Sequence, residues 1–515
     1  MTEPAGSRWP LFFAIAGLLA LALWLISPRF AIDAPSLVDD WSAVTRSPDQ
    51  VAELVRLTNP EERRFRPSWI VWSYVQWHTF DAPGGLTGPN VWNALRVFVL
   101  ICGLTLMTWL LLPRSRSRRL ALLTAGLAVV PAFIVVAVPK FARDLAWFAP
   151  QEPLLVGSLA LGGSGIALAA ASLLDDAPVP RARTAALALG GALLWVFGVY
   201  HKEVALAAVP LVAAVLVAAR GELARWSSLT ERRRLALGAL GAVVVLPLVH
   251  LAVGTARIAA RGERLYERDV QEGVGIVDGL RLLYEWAPEA LPLPARQLVV
   301  ATVALVLIAA VVRRRVDILA IGALASGALA MVYAAQSGVV ASRYYIPFLA
   351  CVAVALSLSL ARLPSVFQAA GLLLVLFAFV PMTETRAEVE RWSDETQKHA
   401  EIVRLVTDLE SSGCTVAVGG LDAETAVALP ALVSLGNESG TRPCDPRSRY
   451  LVLPPSPDSR EPLWNACARG ALHPLAVGEL LGVYECTRLV GGPVRDPEAG
   501  LLSPGELIER HRLRV

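Results

Sequence analysis

The chain has 515 residues, of which 55% are hydrophobic and only 18% are charged. Typical soluble domains have about 25% charged residues, so this composition excludes a soluble enzyme, a disordered protein and a fibrous repeat. It predicts a protein that crosses the membrane several times. The small net charge of +3 gives no indication of nucleic-acid binding. The basic residues are nearly all arginine, and the only lysines are Lys140, Lys202 and Lys398.

Apolar segments long enough to cross a bilayer recur along the first three quarters of the chain. A transmembrane helix needs roughly 17–25 mainly apolar residues, and eleven segments are candidate spans. They lie at residues 10–27, 91–112, 120–138, 153–173, 184–200, 203–219, 235–254, 297–312, 316–335, 344–361 and 365–381. The first has a weakly charged start and lacks a small-residue cleavage site, so it is not read as a cleavable signal peptide.

Clusters of arginine predict the orientation of these spans. They follow the second, fourth, sixth and eighth spans, as in Arg232, Arg233 and Arg234. Cytoplasmic loops carry an excess of Lys and Arg, so these loops are predicted to be cytoplasmic. The N-terminus is then inside, the C-terminus is outside, and all three lysines lie on the outer side of a plasma (inner) membrane.

The first predicted outer loop, residues 28–90, contains most of the features that suggest chemistry. An acidic pair, Asp39 and Asp40, follows the first span, and residues 48–57 have the pattern of an amphipathic surface helix. An aromatic run between 69 and 80 suits a helix at headgroup depth. The second long outer loop covers residues 255–296, and the backbone of both loops must fold in or on the interface.

Adjacent Asp residues are most often a solvated turn or a helix cap. Here the pair lies at the outer membrane surface in a loop rich in Arg and aromatic residues. One carboxylate could accept a proton from an acceptor hydroxyl, or the pair could bind a divalent cation such as Mg²⁺ or Mn²⁺. Asp144 and Glu152 are possible further metal ligands, so the spacing leaves both roles open.

Lys202 lies in the segment Tyr200-His201-Lys202-Glu203 between two predicted spans. Charged residues at membrane depth pair with each other or line a cavity, so Lys202 either forms an interfacial pair with Glu203 or contacts an anion. Arg343 poses the same choice at the start of a later span, and Arg143 and Lys140 add positive charge on the same side. Several cations with a few carboxylates suit a phosphate-bearing lipid.

Residues 385–515 are less hydrophobic than the rest of the chain and predict a small α/β domain outside the membrane. Helices are predicted over 386–411 and 422–434, and strands over 415–418, 450–453 and 482–486. Four cysteines in an outward domain suggest two disulfides, with three possible pairings and four unpaired thiols as the alternative. These cysteines are Cys414, Cys444, Cys467 and Cys486.

Five segments in a fixed order resemble a known family. They are Asp39-Asp40-Trp41; Arg64-Phe65-Arg66-Pro67 followed by Trp92-Asn93; Gln151-Glu152-Pro153-Leu154; His201-Lys202-Glu203-Val204 followed by Pro210; and Arg343-Tyr344-Tyr345-Ile346-Pro347. Their order and outward placement, over roughly residues 10–380, resemble the GT-C membrane glycosyltransferases. The resemblance is to bacterial members related to protein O-mannosyltransferases and aminoarabinose transferases.

The resemblance implies a mainly α, GT-C-like membrane bundle that takes a sugar from a polyprenyl-phosphate carrier on the outer face. The sugar passes, with inversion at its anomeric carbon, to a glycan, lipid or protein acceptor. It implies Asp39 as the base, with Asp40 supporting it or holding a metal. The cations Lys202 and Arg343, and more weakly Arg143 and Lys140, would stabilise the leaving phosphate. The supporting residues would be Arg66, Glu152, His201 and Glu203.

Two other functions fit the same composition. A transporter or flippase of a lipid-linked substrate would be expected to show internal repeats and broken helices, and no clear repeat relates the two halves. A non-catalytic membrane scaffold would need neither the acidic pair nor the outer cations. The predicted domains are a transmembrane catalytic module at 1–384 and the outer domain at 385–515. No Walker, GxGxxG or CxxC motif occurs, so a nucleotide site is not indicated.

Overall fold

The computed structural model describes most of the helical part of the chain and the central sheet of its C-terminal part. The described residues are 9–30, 47–56, 66–79, 88–113, 118–147, 151–174, 180–223, 229–260, 276–313, 316–335, 341–379, 382–414, 416–418, 425, 428–429, 432–433, 449–453 and 472–486. Contacts divide the chain into two compact units. The first comprises 1–27, 51–76 and 81–389, and the second comprises 28–50, 77–80 and 390–515.

Helices dominate the described part of the chain. They are α1 (Trp9–Phe30), α2 (Pro48–Arg56), α3 (Pro67–His78), α4 (Gly88–Leu111), α5 (Arg118–Ala137), α6 (Pro139–Ala146), α7 (Glu152–Leu174), α8 (Arg181–Val199), α9 (Val209–Ala218), α10 (Arg220–Leu223), α11 (Glu231–Ala260), α12 (Ile276–Ala290), α13 (Leu293–Arg313), α14 (Ile318–Ala335), α15 (Tyr345–Leu360), α16 (Ser365–Ala378) and α17 (Met382–Ser411). Two 3₁₀ helices, Glu203–Ala208 and Ser342–Tyr344, precede α9 and α15.

Within the described residues, nine helices are long and apolar enough to cross a membrane, or ten if α5 and α6 count as one broken span. The bend between α5 and α6 is 80°. The predicted polytopic helical architecture is therefore confirmed, and α2 and α3 form where the surface helices of the first loop were predicted. The orientation of the bundle in the membrane stays a prediction.

The predicted sixth span, 203–219, differs from the structure. It consists of a 3₁₀ helix of 6 residues followed by α9 with 10 residues, which is shorter than a regular span. Glu203 at its start is buried and Pro210 lies in the first turn of α9. Because a buried carboxylate needs a polar partner and proline supplies no backbone N–H, this segment begins as part of a polar site instead of a continuous helix.

The predicted second outer loop, residues 255–296, contains a helix. Helix α12 occupies the second half of this segment and packs closely on α14. The approach is so close that a Cβ added at Gly279 would lie 2.1 Å from the Ala335 carbonyl oxygen. The Tyr345 hydroxyl donates a hydrogen bond to the Leu283 carbonyl. Both contacts join α12 to the helices that lead into the candidate site.

Helix α7 lies against α4 and α8 at very short range. A Cβ added at Gly157 would lie 2.6 Å from the backbone of Leu100 in α4, and one added at Gly162 would lie 2.5 Å from the backbone of Trp195 in α8. Small residues allow membrane helices to approach until their backbones touch. The glycines of α7 therefore set its position, and with it the position of Glu152 at its N-terminus.

The second unit contains a four-stranded sheet in the order β1-β2-β4-β3. The strands are β1 (Val416–Val418), β2 (Arg449–Leu453), β3 (Leu472–Val477) and β4 (Gly482–Cys486). β1 runs parallel to β2, whereas β4 pairs antiparallel with both β2 and β3. Ile402, Val406 and Leu409 of α17 belong to the same buried core as Val452 and Val483 of the sheet.

The small α/β domain predicted from the sequence is thus confirmed, although β3 was not predicted. Pro474 interrupts the strand pattern, and the pairing of β3 with β4 is irregular between Pro474 and Ala476. Proline is tolerated in edge strands and at bulges, which is where it lies here. Cys414 and Cys486 both form disulfides, which excludes four unpaired thiols, whereas Cys444 and Cys467 lie outside the described residues.

Candidate functional site

Residues from four distant parts of the chain meet near the junction of α8 and the 3₁₀ helix that follows it. Arg66 immediately precedes α3, and Glu152 is the first residue of α7. Lys202 and Glu203 begin the first 3₁₀ segment, and Tyr344 ends the second, just before α15. Each functional side chain therefore lies at a helix end, where the backbone leaves the regular packing of the bundle.

Arg66 and Glu203 form a buried bidentate ion pair. Arg66 Nε donates to both carboxylate oxygens of Glu203 at 3.0 Å, and its Nη2 donates to Oε2 at 2.7 Å. Fork-to-fork pairing of this kind is the strongest arrangement for Arg and a carboxylate. Next to it the Ser68 amide donates to the Tyr200 carbonyl at 3.3 Å, so α3 is joined to the end of α8 by both backbone and side chain.

Lys202 forms a second buried ion pair, with Glu152. Its ammonium also lies 4.5 Å from the ring centroid of Tyr344, within the range of a cation–π interaction. The Gln151 amide donates to the other oxygen of Glu152 at 3.1 Å. Lys202 and Glu203 were expected to pair with each other if the site were only an interfacial ion pair, but each of them binds a residue distant in the sequence.

Arg343 directly precedes Tyr344 in the sequence and contacts two aromatic rings. Its guanidinium carbon is 5.6 Å from the Tyr344 ring centroid and 5.3 Å from that of Trp147. Arginine stacks favourably on aromatic faces. Two cations predicted to bind phosphate, Lys202 and Arg343, therefore share one aromatic residue.

A third polar group links α6 to the segment before α15. The Ser342 hydroxyl donates to Asp144 Oδ2 at 2.6 Å and accepts from Arg143 Nη2 at 3.0 Å. Arg143 also lies 3.5 Å from Asp144 Oδ1. Asp144 is buried, whereas Arg143 is only partly covered, so this carboxylate is fixed among hydrogen-bond donors.

Lys140 and Arg143 have a common carboxylate partner on α17. Lys140 Nζ lies 2.9 Å from Glu388 Oε1, and Arg143 Nη1 lies 3.9 Å from the same atom. Both cations are more exposed than Lys202. The two weaker candidates for phosphate binding therefore share one carboxylate partner, and Arg143 also contacts Ser342, which precedes Arg343.

Arg96 was missed by the sequence analysis, although it is fully buried in the apolar helix α4. Its Nη2 donates to the carbonyls of Leu145 at 2.6 Å and Asp144 at 3.3 Å, and also to that of Trp147. Carbonyls at a helix C-terminus have no partner within the helix, so Arg96 caps α6. A lone arginine inside an apolar span was the available signal.

His201 is buried beside the ring of Phe197, with the ring centroids 5.3 Å apart. Among the described residues, neither of its ring nitrogens has a hydrogen-bond partner. Burial lowers the pKa of His201 to about 3, because the charged form loses its hydration. The imidazole next to the two ion pairs is therefore neutral at physiological pH.

A small cavity, with room for little more than a water molecule, lies beside the two buried ion pairs. Its polar wall carries Lys202, Glu152 and Glu203, and its remaining wall comes from α14 and the start of α15. The residues that line it are Glu152, Lys202, Glu203, Val204, Ala330, Tyr333, Ala334, Tyr344 and Pro347. Charged side chains form one side of this cavity and apolar residues form the other.

Asp39 and Asp40, the predicted base and its neighbour, lie outside the described residues. The structure therefore brings together Lys202 and Arg343 but does not place the acidic pair. Within the described residues no group of three or more His, Cys, Asp or Glu side chains could hold a metal ion. A metal bound by Asp39 and Asp40 stays a prediction.

No family model matches the chain, and no curated protein matches it. Two similar solved structures are crystal structures of ArnT from Cupriavidus metallidurans. The apo structure is 15% identical, with a TM-score of 0.45, and the match covers 95% of this chain and 100% of that chain. The structure bound to undecaprenyl phosphate is 13% identical, with a TM-score of 0.47 and coverage of 93% and 99%. At this identity and overlap the likeness carries no functional argument.

Proposed function

We propose that this chain is an integral membrane glycosyltransferase of the GT-C type. It takes a sugar from a polyprenyl-phosphate carrier and transfers it, with inversion, to an acceptor on the outer face of the membrane. One observation carries the proposal. Lys202 and Arg343, 141 positions apart in the sequence, approach the same Tyr344 ring at 4.5 Å and 5.6 Å beside a cavity with an apolar wall.

The phosphate of the carrier is the leaving group in this reaction and gains negative charge as the bond to the sugar breaks. Cations already in position stabilise such charge most effectively in a site from which water is excluded. Lys202 is buried and Arg343 is half-buried. Lys202 would act as a point charge, and Arg343 could bind two phosphate oxygens with its planar fork.

The acceptor must lose a proton as its oxygen attacks the anomeric carbon. The proposed base is Asp39, with Asp40 supporting it or holding a divalent cation. If a cation is bound there, it would supply Lewis-acid stabilisation of the phosphate. His201 is a weaker candidate for proton transfer, because its lowered pKa of about 3 makes it a poor base at neutral pH.

The arginine-rich loops support an orientation with the N-terminus in the cytoplasm and the C-terminal domain outside. Transfer would then occur on the outer face, after the lipid-linked donor has been moved across the membrane. The acceptor would be a glycan, a lipid or a protein.

The test uses the purified protein in liposomes with a mixed pool of radiolabelled polyprenyl-phosphate sugars and a delipidated envelope fraction as acceptor. We expect label to move from lipid to acceptor, and Asp39→Asn to lower the rate about 10²–10⁴-fold. Asp49→Asn, an exposed acid at the start of α2, is the matched control and should keep full activity.

Full activity of both Asp39→Asn and Asp40→Asn would exclude the proposed mechanism. Movement of the lipid-linked sugar from one leaflet of the liposome bilayer to the other, without transfer of the sugar to the acceptor, would instead indicate a flippase. If neither transfer nor movement occurs although donor and acceptor are turned over by a positive-control enzyme, a non-catalytic scaffold becomes the better explanation.

A further inference from the structure

Lys202, the cation that the proposed reaction needs for the leaving phosphate, is paired with Glu152. We propose that Glu152 is a placeholder carboxylate: it neutralises Lys202 in the empty site, is displaced when the carrier phosphate enters, and returns to help expel the product. This inference rests on the proposed function and adds a specific role for Glu152 to it.

Burial requires Lys202 to have an anionic partner at all times. Lys202 is 4% exposed and Glu152 is 1% exposed, and an isolated buried charge is strongly destabilising. A site that must bind a phosphate and also remain stable without it therefore needs an internal anion. Glu152 lines the same small cavity as Lys202 and Tyr344, so a phosphate could reach Lys202 there only if Glu152 moved aside.

Glu152 can give up Lys202 because it has a second source of stabilisation. One of its oxygens contacts Lys202, whereas the other accepts a hydrogen bond from the Gln151 amide at 3.1 Å. It is also the first residue of α7, where the helix dipole favours a negative charge. Arg343 attracts the same carboxylate electrostatically. After displacement the carboxylate would still be held by the N-terminus of α7.

Glu203, the other carboxylate of the cavity, is held in a way that makes it unsuited to this role. Three hydrogen bonds from Arg66 fix it at 2.7–3.0 Å, so exchange would break a complete bidentate pair. Lys202, in contrast, has a flexible stem, and its ammonium is a point charge that does not require a fork-shaped partner. The cavity therefore has one fixed carboxylate and one exchangeable carboxylate.

The carrier phosphate also becomes more negative in the reaction. It enters as a diester that joins lipid and sugar with one negative charge, and it leaves as a monoester that carries up to two. Repulsion between Glu152 and phosphate is therefore larger for the product than for the donor. Removing the charge of Glu152 should retain the product, so kcat should fall together with KM.

The experiment titrates a long-chain polyprenyl monophosphate into the full-length protein in nanodiscs and measures binding by calorimetry. We expect Glu152→Gln to bind the lipid about tenfold more tightly than the wild type, and Lys202→Met to bind it about tenfold more weakly. Glu285→Gln, which removes an exposed carboxylate paired with Arg281 at 2.8 Å, is the matched control and should bind like the wild type.

Unchanged or weaker binding by Glu152→Gln, with weaker binding by Lys202→Met, would overturn the placeholder role and leave the proposed function intact. Absence of binding to the wild type would overturn both. If Glu152→Gln does not fold, difference infrared spectra of the wild type decide the question. A change in one carboxylate band when the lipid binds, lost in Lys202→Met, supports displacement, and an unchanged carboxylate spectrum contradicts it.

Discussion

Two groups of ion pairs in the first unit use the same residue types in different surroundings. In the inner group, Arg66–Glu203 and Lys202–Glu152, every side chain is at most 6% exposed. In the outer group, Lys140 and Arg143 are 31% and 23% exposed and share Glu388. Buried charges depend on their partners, whereas exposed pairs contribute little to stability. Lys202 is therefore expected to differ in function from Lys140 and Arg143, although the sequence groups the three together.

The largest difference should appear in stability when one partner of an inner pair is removed. Arg66→Ala leaves Glu203 buried without its bidentate partner, so we expect the free energy of unfolding to fall by about 3–5 kcal/mol. Chemical denaturation in detergent micelles measures this loss. Arg281→Ala, which removes an arginine with a 77% exposed side chain, should leave stability nearly unchanged, and equal losses in the two variants would contradict the comparison.

The next largest effect should appear in activity. Lys202→Met removes the proposed contact with the leaving phosphate, and we expect kcat/KM for the lipid-linked donor to fall about 10²–10³-fold. Lys140→Met, in the outer group, should lower it less than about fivefold. Lys398→Met changes the exposed lysine of α17 and serves as the control. A similar loss in Lys140→Met and Lys202→Met would remove the distinction between the two groups.

A smaller effect should appear when the pH is lowered, because the folded protein keeps His201 uncharged. The pKa of His201 is about 3 in the folded protein and about 6.5 in an unfolded chain. The unfolded state therefore takes up a proton as the pH falls below about 6.5, while the folded state does not until about pH 3. The contribution of His201 to stability is complete above pH 6.5 and decreases through this range.

Between pH 7 and pH 5 this decrease should amount to about 2 kcal/mol. Thermal or chemical unfolding of the wild type and His201→Phe at both pH values isolates it, because the other titrating groups are shared. We expect a smaller loss of stability at pH 5 in His201→Phe. If both proteins lose the same amount, His201 is accessible to protons in the folded state.

Local patterns in the sequence were sufficient for most of the fold. Long apolar runs predict the membrane helices, and the amphipathic and aromatic segments predict α2 and α3, because burial on one side produces a periodic pattern. The 203–219 segment departs from its apolar pattern because Glu203 is drawn into a pair with Arg66, and β3 was missed because Pro474 is unusual in a strand. In both cases contacts with another segment outweigh local preference.

The site was predicted less completely than the fold. Lys202 and Arg343 stand out in the sequence as rare charges at the ends of spans, but their partners do not. The sequence places Glu203 next to Lys202, yet Glu203 binds Arg66 and Lys202 binds Glu152. A partner 50 positions away in the sequence is selected by how helices pack, and no spacing rule within the segment encodes it.

The glycine contacts of α7 have a consequence for how this protein can vary. Gly157 and Gly162 face backbone atoms of two different helices at distances that no side chain can occupy. A methyl group at either position would push α7 sideways and move Glu152 away from Lys202. Natural variants of this protein should therefore accept many substitutions on the lipid-facing side of α7 but almost none at these two glycines. In a deep mutational scan, loss of activity on substitution of these two glycines would then mark the position of the site, although neither glycine contacts the substrate.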